Sequence, residues 1–452
     1  MARQPLASLI TPAGRIDATP DGGLVPHVAD DVATPGEPRR ARAGDGLAAA
    51  LYDAATDPAA SELLAAEQGV VRVHRHAPVS ESTARAPRDV TSGTAVLRER
   101  AIAVDMTNWA VIVDDRALVK VAARWGAVER AGRILDRLAE RESQVSPALT
   151  ARIEWELPGL GRSTVALITD AVMGAHDGWT WALGDVLAWR RGESPEPDWP
   201  WRLGSLTAEL HADLLATQPE HAGSGDHVRG DARRAAANGL ELRRRASQAI
   251  ADACELVGGA TGVRLRHRRG ALQRAVDTLP ERPIGRMFDG HGDLHVGQVL
   301  RSREAGRSRY WLVDFDGDPQ LTAAEREQPD SSARDVAHLA VSFDLVAAVA
   351  FKRLGEVDRA VLEWADRAKT ALVNAYRARA EELGIDREFD ERLLPGFMAE
   401  QLARELLYAE RFLPRWRYAP DAVISIRYPR DPAARPDTTP EEPWSPPAFE
   451  KI

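Results

Sequence analysis

The stretch His291-Gly292-Asp293-Leu294-His295-Val296-Gly297-Gln298, followed after a short gap by Leu312-Val313-Asp314-Phe315-Asp316-Gly317-Asp318, decides how this chain reads. It gathers three groups suited to phosphoryl transfer in one short unit. Asp293 can orient a hydroxyl and accept its proton. Gln298 offers a side-chain carbonyl oxygen to a cation, and Asp314, at the end of an apolar run, offers a carboxylate to the same cation. Mg²⁺ prefers hard oxygen ligands and would bridge nucleotide phosphates there. Asp316 is a further carboxylate two residues on.

Two plainer readings compete. His-Gly-Asp can be a tight turn with a capping aspartate. His291, Asp293 and His295 can also be alternating metal ligands on a strand. The second is disfavoured because no further His or Cys cluster lies nearby and the downstream strand ends in a carboxylate-rich turn. His295 reads as structural.

These two motifs resemble the aminoglycoside-phosphotransferase-like kinases, relatives of protein kinases that act on small molecules. Within that superfamily the run 291–300, with Asp314 to Pro319, is most similar to actinobacterial maltokinases and the glucosamine kinases related to them. The resemblance covers roughly residues 90–430. It implies an α+β, bilobal, protein-kinase-like fold: an antiparallel N-lobe sheet preceded by an N-terminal cap, and a mostly helical C-lobe. The divisions expected are a cap over 1–90, an N-lobe over 91–172 and a C-lobe over 173–452. Asp293 matches the catalytic base, and Gln298 and Asp314 match the metal ligands. The first loop usually ends in Asn in this superfamily and ends in Gln298 here. Asp316 stands where maltokinases commonly carry Glu.

Composition sets outer limits. A chain of 452 residues can bury two or three cores. No apolar run approaches the roughly 20 residues of a membrane span. The first ten residues lack a basic start and an apolar core, so no secretory signal is expected. The single cysteine, Cys254, cannot form an internal disulfide, and the chain reads as cytoplasmic. A net charge of −9 gives no general attraction for nucleic acid or anionic lipid. The arginines at 243–245, 264, 266, 268 and 269 lack interleaved aromatics and read as solvated helix faces, not a nucleic-acid patch. The sequence does not report an oligomeric state.

The hydrophobic pattern places the elements. Residues 11–46, rich in Pro, Gly and Asp, read as irregular with short strands, 46–68 as an Ala/Leu-rich helical segment, and 70–74 as a strand. Strand signals follow at 94–104, at 109–113 and at 117–122, with a turn at 114–116. Lys120 sits mid-strand in Ala-Leu-Val-Lys-Val, and a lysine in an apolar strand needs exposure or a partner. The resemblance makes it the phosphate-binding lysine of the third N-lobe strand, paired with an acid of the next helix (127–141): Glu129, Asp136 or Glu140. The loop 105–108 would cover the phosphates but has no glycine, so either the Thr107 and Asn108 side chains substitute or the loop orders only when nucleotide binds, with Ser92-Gly93 a weaker candidate for the same task. A second hairpin, 151–157 with 164–172, ends in the inter-lobe hinge, whose backbone at Thr169 and Val172 would meet adenine. Trp179, Trp181 and Trp189 on the helix 178–191 read as core. Helices are expected over 203–217, 231–257, 263–279, 351–383 and 393–413. Another opens at Ser331 or Ser332, with Asp335 bracing the catalytic-loop backbone and His291 beside it. The tail from 429 reads as irregular.

The acceptor is expected near 405–418, where Glu405, Tyr408, Glu410, Arg411 and Trp416 combine carboxylates with flat rings. The cofactors implied are ATP and Mg²⁺, bound between the lobes, and the partner is a small sugar. The lead acceptor is glucosamine, phosphorylated at O6. Maltose, giving maltose 1-phosphate, is the alternative. An aminoglycoside phosphotransferase and a non-catalytic nucleotide-binding sensor follow.

Overall fold

The computed structural model describes residues 5–28, 39–76, 98–102, 108–217, 227–304, 306–431 and 442–447. In chain order the elements are β1 (Ala7–Thr11), β2 (Gly14–Ala18), β3 (Leu24–Val28), α1 (Leu47–Thr56), α2 (Pro58–Ser61), β4 (Ala65–Ala66), β5 (Val70–Arg75), β6 (Glu99–Ala101), β7 (Trp109–Val113), β8 (Ala117–Val121), α3 (Glu129–Glu140), β9 (Leu149–Leu157) and β10 (Gly161–Asp170). There follow α4 (Gly178–Arg190), α5 (Pro200–Ala216), α6 (His227–Leu256), α7 (Gly259–Asp277), a 3₁₀ turn (Val296–Gln298), β11 (Val299–Glu304), β12 (Arg307–Leu312), α8 (Ala323–Arg326), α9 (Ser332–Leu354), α10 (Arg359–Glu382), α11 (Leu394–Arg411) and α12 (Tyr418–Arg427). The chain divides into two compact units, 1–175 with 302–327, and 176–301 with 328–452.

The first unit holds two antiparallel sheets. One has the strand order β3-β2-β1-β4, and the other is six-stranded, β5-β9-β10-β8-β7-β6. Alternation governs the second. In β8, Val119 and Val121 are fully buried, and Lys120 between them is turned to the other face with its side chain 11% exposed. On β9, Ala151, Ile153 and Trp155 are buried, and α3 packs its Ile134, Leu135 and Leu138 inward. Burying a residue of this kind is worth about 1.5–3 kcal/mol, so the sheet and α3 hold Lys120 rigidly.

The second unit is helical. The core is α9, nearly all of whose residues are buried from Ser332 to Phe351. It packs with α10 and α11, and α5 lies along α10. Among the described residues no helix is long and apolar enough to cross a membrane.

Several element boundaries differ from the sequence expectation. Residues 11–46 contain most of a sheet, β2 and β3, paired from Gly14↔Val28 to Ala18↔Leu24. The segment 46–68 is not one helix. Asp57 accepts the Ala59 N–H as an N-cap and Pro58 starts a new short helix, because proline cannot continue the old one. The helix expected over 351–383 is two: α9 ends at Leu354 before Gly355, and Asp358 caps α10. Of the strand expected over 94–104, only β6 lies in described residues. Thr107 lies outside them.

Candidate active site

In the second unit the His-Gly-Asp loop is built on the start of α9. Ser331 caps the helix by accepting the Ala333 N–H at 3.3 Å. Phe288 and Asp330 exchange a pair of backbone hydrogen bonds of 3.0 Å, which aligns the two segments. Asp335, one turn into α9, accepts the backbone N–H of His291 at 2.7 Å and of Gly292 at 2.9 Å. His211 of α5 donates from Nε2 to the same carboxylate at 3.0 Å, and its Nδ1 accepts from the Tyr376 hydroxyl at 2.8 Å. A carboxylate can only accept, so this chain fixes the tautomer of His211. Burial works against the Asp335 charge. The His211 hydrogen bond, with the backbone donors, overcomes that and holds Asp335 well below the ordinary carboxylate range.

Asp293 follows the braced dipeptide and is half-buried. The 3₁₀ turn Val296–Gln298 carries Gln298, and Ser342 of α9 accepts the Val296 N–H at 3.1 Å. Residues 291–295 form no strand, and His295 Nδ1 accepts the Gly297 N–H at 3.0 Å. Among the described residues no group of three or more His, Cys, Asp or Glu side chains could hold a metal. That disposes of the alternating-ligand reading of His291, Asp293 and His295.

An aromatic row leads away from this loop. Helix α4 touches it so closely that a Cβ at Gly178 would lie 1.6 Å from the Val296 carbonyl oxygen, and one at Gly297 would lie 2.5 Å from Trp179 Nε1. Trp179 stacks near His295 (5.9 Å between centroids) and meets Trp416 edge-on at 5.1 Å. Trp416 donates from Nε1 to Glu405 at 3.2 Å, and Gln401 donates to the other oxygen of Glu405 at 3.1 Å. The structure thus brings Glu405 and Trp416 together. Glu410 instead pairs with Arg417 at 3.1 Å, Tyr408 packs on Phe412, and Arg411 is exposed. Trp179 and Gln401 were missed. Trp179 had read as core like Trp181, yet Trp181 is buried while Trp179 is half-exposed.

In the first unit Lys120 lies between two carboxylates, 2.9 Å from Asp314 and 2.7 Å from Asp316. Burial opposes its charge, but the two anions outweigh it and the ammonium is held above its ordinary range. Asp316 is pushed up by burial and by the neighbouring Asp314, with Lys120 working against the shift. Asn108 donates to Asp316 at 3.2 Å while its carbonyl oxygen accepts the Ala123 N–H at 2.9 Å.

This corrects the expected partner of Lys120. None of the three α3 acids pairs with it. Glu129 accepts the Thr164 N–H at 2.8 Å, Asp136 binds His76 and Arg152 at 2.8 and 2.7 Å, and Glu140 is exposed. The α3 residue that reaches the turn carrying Asp314 and Asp316 is Arg130. Thr169 ends in β10 opposite Leu118, and Val172 follows two residues after that strand.

The carboxylates suit a divalent ion. Lys120 offsets only one of two negative charges, and Asp316 Oδ1 is buried without a hydrogen-bond partner. Such an acceptor is costly unless a cation or donor reaches it.

No protein-family model matches the chain. It is 36% identical over 423 residues to the glucosamine kinase of Streptacidiphilus jiangxiensis, covering 90% of this chain and 85% of the relative. It is 35% identical over 418 residues to the glucosamine kinase of Mycolicibacterium smegmatis (strain ATCC 700084 / mc(2)155), covering 90% and 94%. The chain belongs to the glucosamine kinases. A solved glucosamine kinase in complex with glucosamine, ADP and inorganic phosphate superposes with a TM-score of 0.68 at 30% identity, covering 94% of both chains. Another crystal form of a glucosamine kinase gives 0.69 over 93% of both. The likeness covers residues of both units. Kinase chemistry and nucleotide use, expected from the two motifs, accord with this membership.

Proposed function

We propose that this chain transfers the γ-phosphate of ATP to a hydroxyl of glucosamine, giving glucosamine 6-phosphate. The observation that carries the reading is Asp293 held by a loop braced at two consecutive N–H groups by Asp335, in a chain related over its length to glucosamine kinases.

Asp293 acts as the base. It orients the acceptor hydroxyl and takes its proton as the oxygen attacks the γ-phosphorus in line, with ADP leaving. Catalysis of this kind is mostly positioning and charge stabilisation. Lys120 supplies fixed positive charge to the nucleotide phosphates. Asp314, Asp316 and Gln298 would hold Mg²⁺, which when bound neutralises charge on the β- and γ-phosphates. Thr107 is assigned to the phosphates as well. Asn108 acts chiefly through Asp316, since both ends of its amide are engaged. The backbone at Thr169 and Val172 is assigned to adenine. His291 and Asp335 support the loop.

On the acceptor side we assign Glu405 to the sugar's amine, since a carboxylate gains a charge-assisted bond to an ammonium group. Trp416, with Trp179, offers a flat face to the sugar ring. Tyr408, Glu410 and Arg411 complete the assigned set, with Glu410 acting through Arg417. A small sugar is the only partner invoked. Catalysis at this site is cytoplasmic chemistry, drawing on free ATP.

The test is ATP consumption with Mg²⁺ against glucosamine, glucose, N-acetylglucosamine, maltose and kanamycin. Turnover with glucosamine and not with its N-acetyl derivative is expected. Turnover with maltose instead, or none across the panel, overturns the proposal. Asp293→Asn should lose about 10²–10⁴-fold in turnover, the usual worth of a general base, while ATP binding measured by calorimetry persists.

A further inference from the structure

The turn that carries Asp314 and Asp316 is strained. Asp314 has φ of +66°, a left-handed conformation that non-glycine residues rarely adopt. Such a residue persists only where its surroundings over-determine it. Three tethers on the turn are already accounted for. The Leu312 N–H donates to the Val145 carbonyl at 2.8 Å, just before the turn. Lys120 holds both carboxylates, and Asn108 holds Asp316. All of these grip the ends or the side chains.

A fourth contact grips the backbone in the middle. Arg130 of α3 is 7% exposed, an unusual place for a guanidinium. Its Nη1–H donates to the Phe315 carbonyl at 2.8 Å and its Nε–H donates to the Arg326 carbonyl at 3.1 Å. Phe315 lies between the two carboxylate residues, and its carbonyl belongs to the peptide bond that leads into Asp316. Arg326 is the last residue of α8, eleven positions downstream. A Cβ at Gly317 would meet Arg326 Cδ at 3.4 Å and Arg130 Cδ at 3.6 Å, so the turn, the end of α8 and the arginine stem are in close contact. A planar guanidinium presents its N–H groups in a fixed fork and can hold two carbonyls at once, which an ammonium on a flexible stem does not reproduce.

We infer that Arg130 is a positioning residue for metal and nucleotide: by fixing the Phe315–Asp316 peptide to α3, it sets the separation and direction of the Asp314 and Asp316 carboxylates. Helix α3 therefore communicates with the site through an arginine and a backbone carbonyl. This consequence rests on the kinase reading above, whereas the staple itself does not.

The experiment compares Arg130→Met, Arg130→Lys and, as control, Arg133→Met. Arg133 makes only a half-exposed ion pair with Glu327. Amide hydrogen exchange is read in the ligand-free protein for peptides covering 313–318, and the Mg²⁺ concentration for half-maximal activity is read beside the KM for glucosamine. In Arg130→Met, exchange at 315–318 is expected to quicken by about tenfold, as fits the loss of a charge-assisted hydrogen bond. The Mg²⁺ requirement should rise by about as much with the glucosamine KM unchanged. Arg130→Lys should fall between, and Arg133→Met should match the parent. Unchanged exchange at 313–318 overturns the inference. So does a parallel rise in the Mg²⁺ requirement and the glucosamine KM, which would mark a general loss of fold. If Arg130→Met does not fold, Arg130→Lys, which keeps the charge and the stem, decides alone. If the parent phosphorylates nothing, the functional reading fails, and the exchange comparison still decides the staple.

Discussion

Asp335→Asn tests the brace under the catalytic loop. The carboxylate accepts three hydrogen bonds, from the His291 N–H (2.7 Å), the Gly292 N–H (2.9 Å) and His211 Nε2 (3.0 Å), and is 2% exposed. An asparagine keeps one acceptor oxygen. In the better of its two orientations, the oxygen faces His291 and His211 and the amide nitrogen is pressed against the Gly292 N–H. One charge-assisted bond, worth about 1.5–3 kcal/mol, is then lost outright, and the two that remain fall to about 1 kcal/mol each as neutral bonds. A loss of about 2.5–7 kcal/mol in the stability of the second unit follows. Urea denaturation followed by tryptophan fluorescence reads it, and hydrogen exchange at 290–293 should quicken with it. Because the folded carboxylate titrates below its unfolded value of about 3.9, its contribution is complete at neutral pH and disappears as acid protonates the folded form. The gap between the variant and the parent should therefore stay constant from pH 8 to about 5 and narrow below that. A variant within about 0.5 kcal/mol of the parent at pH 7 would refute the brace. So would a gap that widened in acid.

Two further perturbations probe the first unit. Lys120→Met leaves Asp316 buried beside Asp314 without the ammonium that offsets them, and removing one member of a buried pair costs about 3–5 kcal/mol; thermal unfolding should show the loss, and added Mg²⁺ should restore part of it, whereas an unchanged transition would refute the pairing. Asp170, at the end of β10, is pushed up to about 6 by burial, so its charge opposes folding above that pH. The shift corresponds at most to about 3 kcal/mol and, for a group still partly in solvent, to about 1 kcal/mol; Asp170→Asn should be stabilised by that amount at pH 8 and by nothing at pH 4, and a gain that is equal at both would refute the assignment.

The His-Gly-Asp loop and the Asp314 turn were legible because the residues that suggest kinase chemistry are consecutive: the Gly292–Asp293 turn and the apolar run into Asp314 can be read without knowing what they touch. Lys120 was legible for the same reason, since alternation in Ala-Leu-Val-Lys-Val assigns it a face. The cap sheet was not. Its first three strands are five residues long, with β1 and β2 only two residues apart between Thr11 and Gly14, so the alternation is too short to stand out from a Pro- and Gly-rich background. Trp179 was misread because α4 carries tryptophans and leucines on all sides, and periodicity cannot say which of them meets His295 and Trp416. Glu405 and Trp416 were legible as neighbours, but Gln401, one turn earlier on α11, carries no signal of its own.

The partner of Lys120 shows where local reading stops, and why. An acid on the following helix is the economical guess, because a buried ammonium needs an anion and α3 offers three. Two of those anions have a nearer claim, and the third, Glu140, is exposed. Glu129 lies at the first turn of α3, where it takes the Thr164 N–H, and Asp136 is bonded by His76 and Arg152, contributed by the segment after β5 and by β9. With the helix acids engaged, Lys120 is left to the metal loop some 194 residues away in sequence. The exchange has a chemical consequence. One cation lies between two carboxyl groups, with Asp316 Oδ1 buried and unpartnered, so the pairing that satisfies the lysine still leaves a buried acceptor at the site. A helix acid on Lys120 would have divided its charge further and left Asp314 and Asp316 repelling each other in a strained turn.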